Sequence, residues 1–149
     1  TEHELVVFAF VGVGEAGLDH RRHALEVGAQ PPRVPPLFNK FANALGAHQG
    51  TITLPARDIA SKFDYETELV VVIGKEARNV SEDAALEHVA GYCVINDVSE
   101  REWQIERGGS WDKGKGCDTF GPIGPWLGTR DEVPSPQRLG LWLDLNGEH

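Results

Sequence analysis

The sequence predicts an α+β fold that is mainly β. Three observations carry the prediction. β-branched and aromatic runs recur along the chain, the helical stretches between them are short, and no regular βαβ alternation appears. The 149 residues amount to about one domain, which typically takes roughly 100–200. No repeats and no low-complexity tract interrupt them, so 1–149 reads as a single domain.

The elements follow in order. Leu5–Val13 reads as a strand, and Gly17 opens a turn. Asp19 to Val27, with "HRRHALEVG" at its heart, reads as a short helix with Gly28 just past its end. "QPPRVPP" (30–36) has four prolines and is an extended loop. "LFNKFANALG" (37–46) fits strand and helix equally, and Thr51–Leu54 is a short strand ending at Pro55. Glu66–Lys75 is a strand, and Ser81 caps a helix to about Val89, with Glu82 and Asp83 in its first turn. "GYCVINDV" is a further strand. Ser99 and Glu102 spell a capping box that opens a helix to about Glu106. From Arg107 to Thr129 nine glycines and prolines predict a long loop. "LGLWLDLNGE" reads as an alternating strand running into an Asn146-Gly147 hairpin turn.

Composition narrows the partners. A net charge of −9 argues against a nucleic-acid or anionic-membrane surface and suits a metal ion better. The longest apolar stretch, Leu5–Val13, is far too short to cross a bilayer, and Thr1 begins no signal-type basic region. Cys93 and Cys117 make no disulfide framework and read as reduced thiols of a cytoplasmic protein. "GEAG" and "GGS" lack the context of a phosphate loop. The sequence has no Met and stops where a hairpin should continue, so it is expected to be part of a longer polypeptide.

The stretch "DYETELVVVI" raises a chemical question. Asp64, Glu66 and Glu68 share one face of a strand that runs on into Val70 and Val72. Carboxylates a few ångströms apart repel each other and lose hydration when covered. Either this end of the strand is solvated, or a divalent cation neutralises the acids. All-oxygen ligands would then favour Mg²⁺, Mn²⁺ or Ca²⁺. Asp97 ends a second apolar strand, which strengthens the metal reading, because two buried strands would deliver carboxylates at one end.

The run "DYETELVVVIGKEARNVSEDAALEHVAGYCVINDVSEREWQ" resembles the core of the fumarylacetoacetate hydrolase family. The resemblance covers Gly17 to Glu148 and implies rolled mixed β-sheets with short helices, often in a homodimer. It also implies a metal, Mg²⁺, held by Glu66, Glu68 and Asp97. Asp64 lies outside the matched pattern and is left as a neighbour of the ligands. His23 and Glu26, three apart, would by spacing alone be an ordinary surface pair. The family's His-x-x-Glu dyad on a lid-like helix makes them a water-activating base and its orienting carboxylate. Relatives often read Gly-Leu-Asn-Tyr before the dyad, whereas here Gly17-Leu18 is followed by Asp19-His20.

Lys113 and Lys115 lie among glycines and would ordinarily be solvated. The family's Gly-Lys-x-x-Asp-Thr pattern singles out Lys115, with Asp118 and Thr119, as a cation aimed at substrate. Arg101 and Gln104 share a helix face and, by resemblance, bind a substrate carboxylate or oxo group; Lys40 matches a further lysine near the metal. The four tryptophans, Trp103, Trp111, Trp126 and Trp142, are expected to pack in core or loops.

The activity implied is Mg²⁺-dependent hydrolysis of the C3–C4 bond of a 2,4-dioxo acid to pyruvate and a carboxylic acid. "ERGGSWDKGKGCDTFGPIGPW" resembles the sugar-acid branch, the 2,4-diketo-3-deoxy-L-rhamnonate and L-fuconate hydrolases. A 2-hydroxyhepta-2,4-diene-1,7-dioate isomerase or an oxaloacetate-type decarboxylase would use the same fold and metal. A ureidoglycolate lyase suits the site less well, and a catalytically silent, cation-stabilised module leaves His23, Glu26 and Lys115 unused.

Overall fold

The computed structural model describes residues 7–9, 30 and 37–148. The chain divides into two compact units: Thr1–Pro31, Leu69–Cys93 and Trp126–His149 form the first, and Pro32–Glu68 and Val94–Pro125 the second. Strands β1 (Val7–Ala9), β2 (Leu45–Ala47), β3 (Phe63–Asp64), β4 (Thr67–Ile73), β5 (Val89–Asn96), β6 (Ser99–Glu100) and β7 (Gly121–Thr129) outnumber the helices, which are single turns. The fold is α+β, mainly β, as predicted. None of the described helices is long and apolar enough to cross a membrane.

In the first unit the strand order is β1-β4-β5-β7. β1 runs antiparallel to β4, with Val7 opposite Val72 and Ala9 opposite Val70. Val70 and Val72 turn inward and are buried, as the alternation of this strand requires. Helix α1 (Glu82–Ala85) starts after Ser81 but ends earlier than the sequence suggests, tightening into a 3₁₀ turn over Leu86–His88. The tightening brings the His88 carbonyl back to accept the Gly74 and Lys75 N–H groups, and Val89 then enters β5. A Cβ on Gly91 would run into the Gly128 carbonyl, so only glycine lets β5 approach this closely.

At the chain's end the Asn146-Gly147 turn forms, with φ of 55° and 85°, and Leu145 and Glu148 exchange both backbone bonds across it. The expected strand before the turn does not form. Leu139 and Leu141 belong to the alternating set, yet both, and Trp142 beside them, are exposed and lie in no described ladder. Trp126 and Trp142 are 75% and 70% exposed and do not pack as expected.

The second unit has strand order β4-β5-β7-β2 and a separate β3-β6 pair. Ala44, Ala60, Ile95, Val98 and Phe120 form its core, with Phe63 edge-on to Phe120 at 6.1 Å. The ambiguous stretch at 37–46 resolves as a 3₁₀ turn, Ala42–Ala44, followed by β2, which runs parallel to β7. Thr51–Leu54 is not a strand; the Thr53 N–H donates to the Thr119 hydroxyl (2.8 Å) instead of a ladder carbonyl.

Two expectations fail for physical reasons. Ser99 does not cap a helix, because it pairs with Asp64 in the β3-β6 ladder and its hydroxyl donates to the Asp97 carbonyl. The buried Glu100 does the capping: its Oε2 accepts the Trp103 N–H at 2.7 Å at the head of a π-helical turn, Glu102–Glu106. Nor is 107–129 a long loop. It contains helix α2 (Trp111–Lys115) and the nine-residue β7. Of the two prolines in β7, Pro122 stands opposite Gly46 in the β2 ladder, and Pro125 lies beyond Gly121–Ile123, the residues that β2 faces.

Candidate metal centre

The site lies wholly within the second unit. Glu68 is the second residue of β4, Glu66 immediately precedes that strand, and Asp97 immediately follows β5. The Asp97 N–H donates to the Glu66 carbonyl (2.8 Å), and the Glu66 N–H donates to Asn96 Oδ1 (3.1 Å). These two bonds hold the strand ends side by side. Glu66, Glu68 and Asp97 each offer one oxygen, and the three lie within 4.8 Å of one another. Oxygens on one octahedral Mg²⁺ stand about 3.0 Å apart when adjacent and about 4.2 Å when opposite, given the roughly 2.1 Å bond, so a pair at the 4.8 Å limit closes by roughly 0.6–1.8 Å when the ion binds.

Two buried ammonium groups and a guanidinium surround the carboxylates. Lys115 Nζ lies 2.6 Å from Glu66 Oε2, 2.6 Å from Asp97 Oδ2 and 2.9 Å from Ser99 Oγ. Lys40 Nζ lies 2.7 Å from Asp97 Oδ1, while it donates hydrogen bonds to the carbonyls of Lys115 (2.5 Å) and Val98 (3.4 Å). Asp97 Oδ1 is therefore close to a cation yet receives no aligned hydrogen bond, although it is buried. Arg101 Nη2 reaches Glu66 Oε1 at 2.6 Å.

This pattern sets the charges. Burial works to raise the Glu66 carboxyl, but Lys115 and Arg101 overcome it and hold the group below the usual range. Glu68 has no such partner. Burial, with the charges of Asp97 and Glu66 beside it, pushes its carboxyl up to about 8. Burial also pulls the Lys40 pKa down, against the pull of Asp97. Three converging carboxylates, one of them with its pKa raised by burial and by the other two, form an all-oxygen donor set that fits a hard divalent cation.

Most of the residues expected at the site meet there. Glu66, Glu68, Asp97, Lys40 and Lys115 converge, and Arg101 and Gln104 adjoin them through Glu66. Lys115 is on α2, 1% exposed, and is not the solvated loop lysine that its glycine-rich context suggests. Gln104 is buried and accepts from Arg101 Nη1 at 2.9 Å. Asp64 binds Arg101 and is not part of the carboxylate cluster. His23 and Glu26 lie outside the described residues.

Three residues at the site escaped the sequence reading. Ser99 is a partner of Lys115, Asn96 ties down Glu66, and Glu100 accepts N–H groups from Ser61, Lys62 and Trp103. The first and third were hidden in what spelled a capping box.

Gly114 sets where Lys115 sits. A Cβ there would stand 2.5 Å from both Gln104 Cβ and the Glu100 carbonyl. Gly114→Ala would gain about 1 kcal/mol of helix propensity but lose about 1–3 kcal/mol or more to overpacking against backbone. The clash wins, and denaturant unfolding should show a net loss of stability.

Fold and site together define a β-rich protein whose strand ends form a carboxylate cluster able to hold a divalent cation. The chain belongs to the fumarylacetoacetate hydrolase family: the family model described as "Fumarylacetoacetate (FAA) hydrolase C-terminal" matches residues 9–149. A Burkholderia cenocepacia (strain HI2424) protein named "Putative hydrolase" is 56% identical over 138 residues, 93% of this chain and 47% of its own length. The chain thus spans about half the length of the curated relatives it matches. The fumarylpyruvate hydrolase of Pseudomonas aeruginosa, solved with Mn²⁺ and pyruvate, is 38% identical with a TM-score of 0.63, covering 76% of this chain and 51% of that one. The 5-carboxymethyl-2-hydroxymuconate delta-isomerase of Mycobacterium smegmatis is 40% identical with a TM-score of 0.61, covering 66% of this chain and 38% of that one.

Proposed function

We propose that the protein is a divalent-metal-dependent enzyme, with Mg²⁺ as its ion, that hydrolyses the C3–C4 bond of a 2,4-dioxo acid to pyruvate and a carboxylic acid. One observation carries the reading: three carboxylates on two strand ends, within 4.8 Å of one another, beside the buried ammonium of Lys115. Glu66, Glu68 and Asp97 would hold the ion. When bound, it supplies a Lewis acid for the substrate's 1-carboxylate and 2-oxo group.

The chain's own residues do the rest. His23, oriented by Glu26, takes a proton from water as the oxygen attacks C4. The C3–C4 bond breaks, its electron pair leaves with C3 as the pyruvate enolate, and a proton returns to C3. Lys115 offsets the enolate charge. Lys40, Arg101 and Gln104 meet the substrate's carboxylate and oxo groups. Every Arg101 side-chain nitrogen already holds an acceptor, so it meets substrate by sharing or exchanging a bond.

Within this class we place the substrate among 2,4-diketo-3-deoxy sugar acids, on the resemblance of 106–126 to that branch, with a hydroxy acid such as lactate as the product accompanying pyruvate. The reading carries with it a homodimer, as the resemblance implies, and a cytoplasmic location, supported by the free thiols Cys93 and Cys117. An isomerase is the second reading, favoured by the likeness to the Mycobacterium enzyme.

Pyruvate release from a panel of acylpyruvates and diketo-deoxy sugar acids, with Mg²⁺ or with chelator, tests the proposal. Isomerised product without pyruvate would move the assignment to the second reading. His23→Ala should lose about 10²–10⁴-fold in kcat, the usual contribution of a general base, with Mg²⁺ affinity unchanged. A variant that hydrolyses its best substrate at the wild-type rate would exclude His23 as the base.

A further inference from the structure

We infer, on the reading of Glu66 as a metal ligand, that Asp64 is a positioning residue of the metal centre, acting through Arg101 on Glu66. The backbone places it for this. β3 pairs with β6 so that Asp64 stands opposite Ser99, two residues from Asp97 and two from Arg101. Both oxygens of its carboxylate are engaged. Oδ1 accepts the Tyr65 N–H at 3.0 Å, and Oδ2 accepts from Arg101 Nε at 2.9 Å and Nη2 at 2.7 Å.

A guanidinium is a flat, rigid fork, so pinning one edge decides where the others point. With Nε and Nη2 on Asp64 and Nη1 on Gln104 Oε1 at 2.9 Å, the remaining direction of Nη2 leads to Glu66 Oε1 at 2.6 Å. Glu66 is then held at one oxygen by Arg101 and at the other by Lys115, which fixes the plane of its carboxylate.

Asp64 also supplies charge. Without it, Arg101 would be free to turn onto Glu66 as a bidentate partner and compete with a divalent cation for both oxygens. Lost orientation and gained competition act in the same direction, and both weaken metal binding. As an ion pair for stability, by contrast, Asp64–Arg101 counts for little. The Asp64 side chain is 44% exposed, and exposed pairs contribute about 0–1 kcal/mol.

The test is calorimetric titration of the full protein with Mn²⁺, in the absence of substrate. Asp64→Ala should weaken Mn²⁺ binding by about 10–100-fold, the usual effect of losing a group behind a ligand. Asp64→Asn, which keeps an acceptor for the guanidinium, should recover part of the loss and serves if the alanine variant misfolds. In an Arg101→Ala background, Asp64→Ala should change affinity by no more than about 2-fold, because Asp64 would have nothing left to act through. Wild-type affinity in Asp64→Ala, or an equal loss with and without Arg101, would overturn the inference. A wild-type protein that binds no Mn²⁺ would overturn the metal centre itself, and this role with it.

Discussion

Glu68→Gln should abolish divalent-cation binding and turnover while leaving the metal-free protein at least as stable as the wild type. The short contacts of Lys40 and Lys115 go to Asp97 and Glu66, and the two lysines act on Glu68 only from farther off. Burial and the neighbouring carboxylates raise the Glu68 pKa from 4.5 to about 8. The folded chain therefore binds this proton more tightly than the unfolded chain does. The associated stability is fully present below pH 4.5 and is lost as pH rises through about 8. Glutamine reproduces the protonated shape and cannot ionise. In chelator, wild-type stability should fall between these pH values by an amount on the order of a few kcal/mol, and Glu68→Gln should lack that component. A cation must displace the same proton from the wild type, so Mn²⁺ affinity should rise toward pH 8. Loss of a direct ligand should exceed the roughly 100-fold that marks loss of an outer neighbour. Two results would remove Glu68 from the ligand set or its charge from the account: wild-type Mn²⁺ affinity in the variant, or a variant that unfolds earlier than wild type in chelator at pH 8.

The parts of this site visible from sequence share one property: they are written in short-range pattern. β4 and β5 follow from runs of Val, Ile and Tyr, and the acids at their ends stand out against that background. Pattern fails where a distant partner decides. Ser99 looked like a helix cap because Glu102 follows at the right spacing, but a β3 partner 35 residues away claims it for a strand. Leu139–Leu145 has the right alternation and no strand to complete it among the described residues. Gly121–Thr129 has the wrong residues for a strand but a neighbour on each side. Lys115 is the clearest case. Glycines on both sides suggested a wet loop. Gly114 instead lets α2 press against Glu100 and Gln104, and that contact carries the ammonium onto Glu66 and Asp97. Family resemblance found Lys115 where local physics pointed the other way.

Lys115→Met should be the most destabilising single change at the site. The ammonium and Asp97 are almost wholly buried, at 2% and 1% side-chain exposure, and Glu66 is at 18%. Methionine fills the volume but leaves Glu66 Oε2 and Asp97 Oδ2 without their shared counter-charge. Breaking a buried pair from one side typically costs about 3–5 kcal/mol, equivalent to roughly 10 °C in Tm for a protein of this size class. Lys40 and Arg101 remain on the other oxygens, so the loss should stop short of unfolding the chain. The deficit is one of positive charge, and a divalent cation can supply it. Added Mn²⁺ should therefore raise the Tm of Lys115→Met by more than it raises that of the wild type. Activity should not follow stability back. If Lys115 offsets the enolate charge during turnover, the Mn²⁺-saturated variant should be folded and metal-loaded yet slow. A Tm unchanged by the substitution would show that the ammonium is not the counter-ion of these carboxylates. Full turnover in the metal-loaded variant would restrict Lys115 to that structural part.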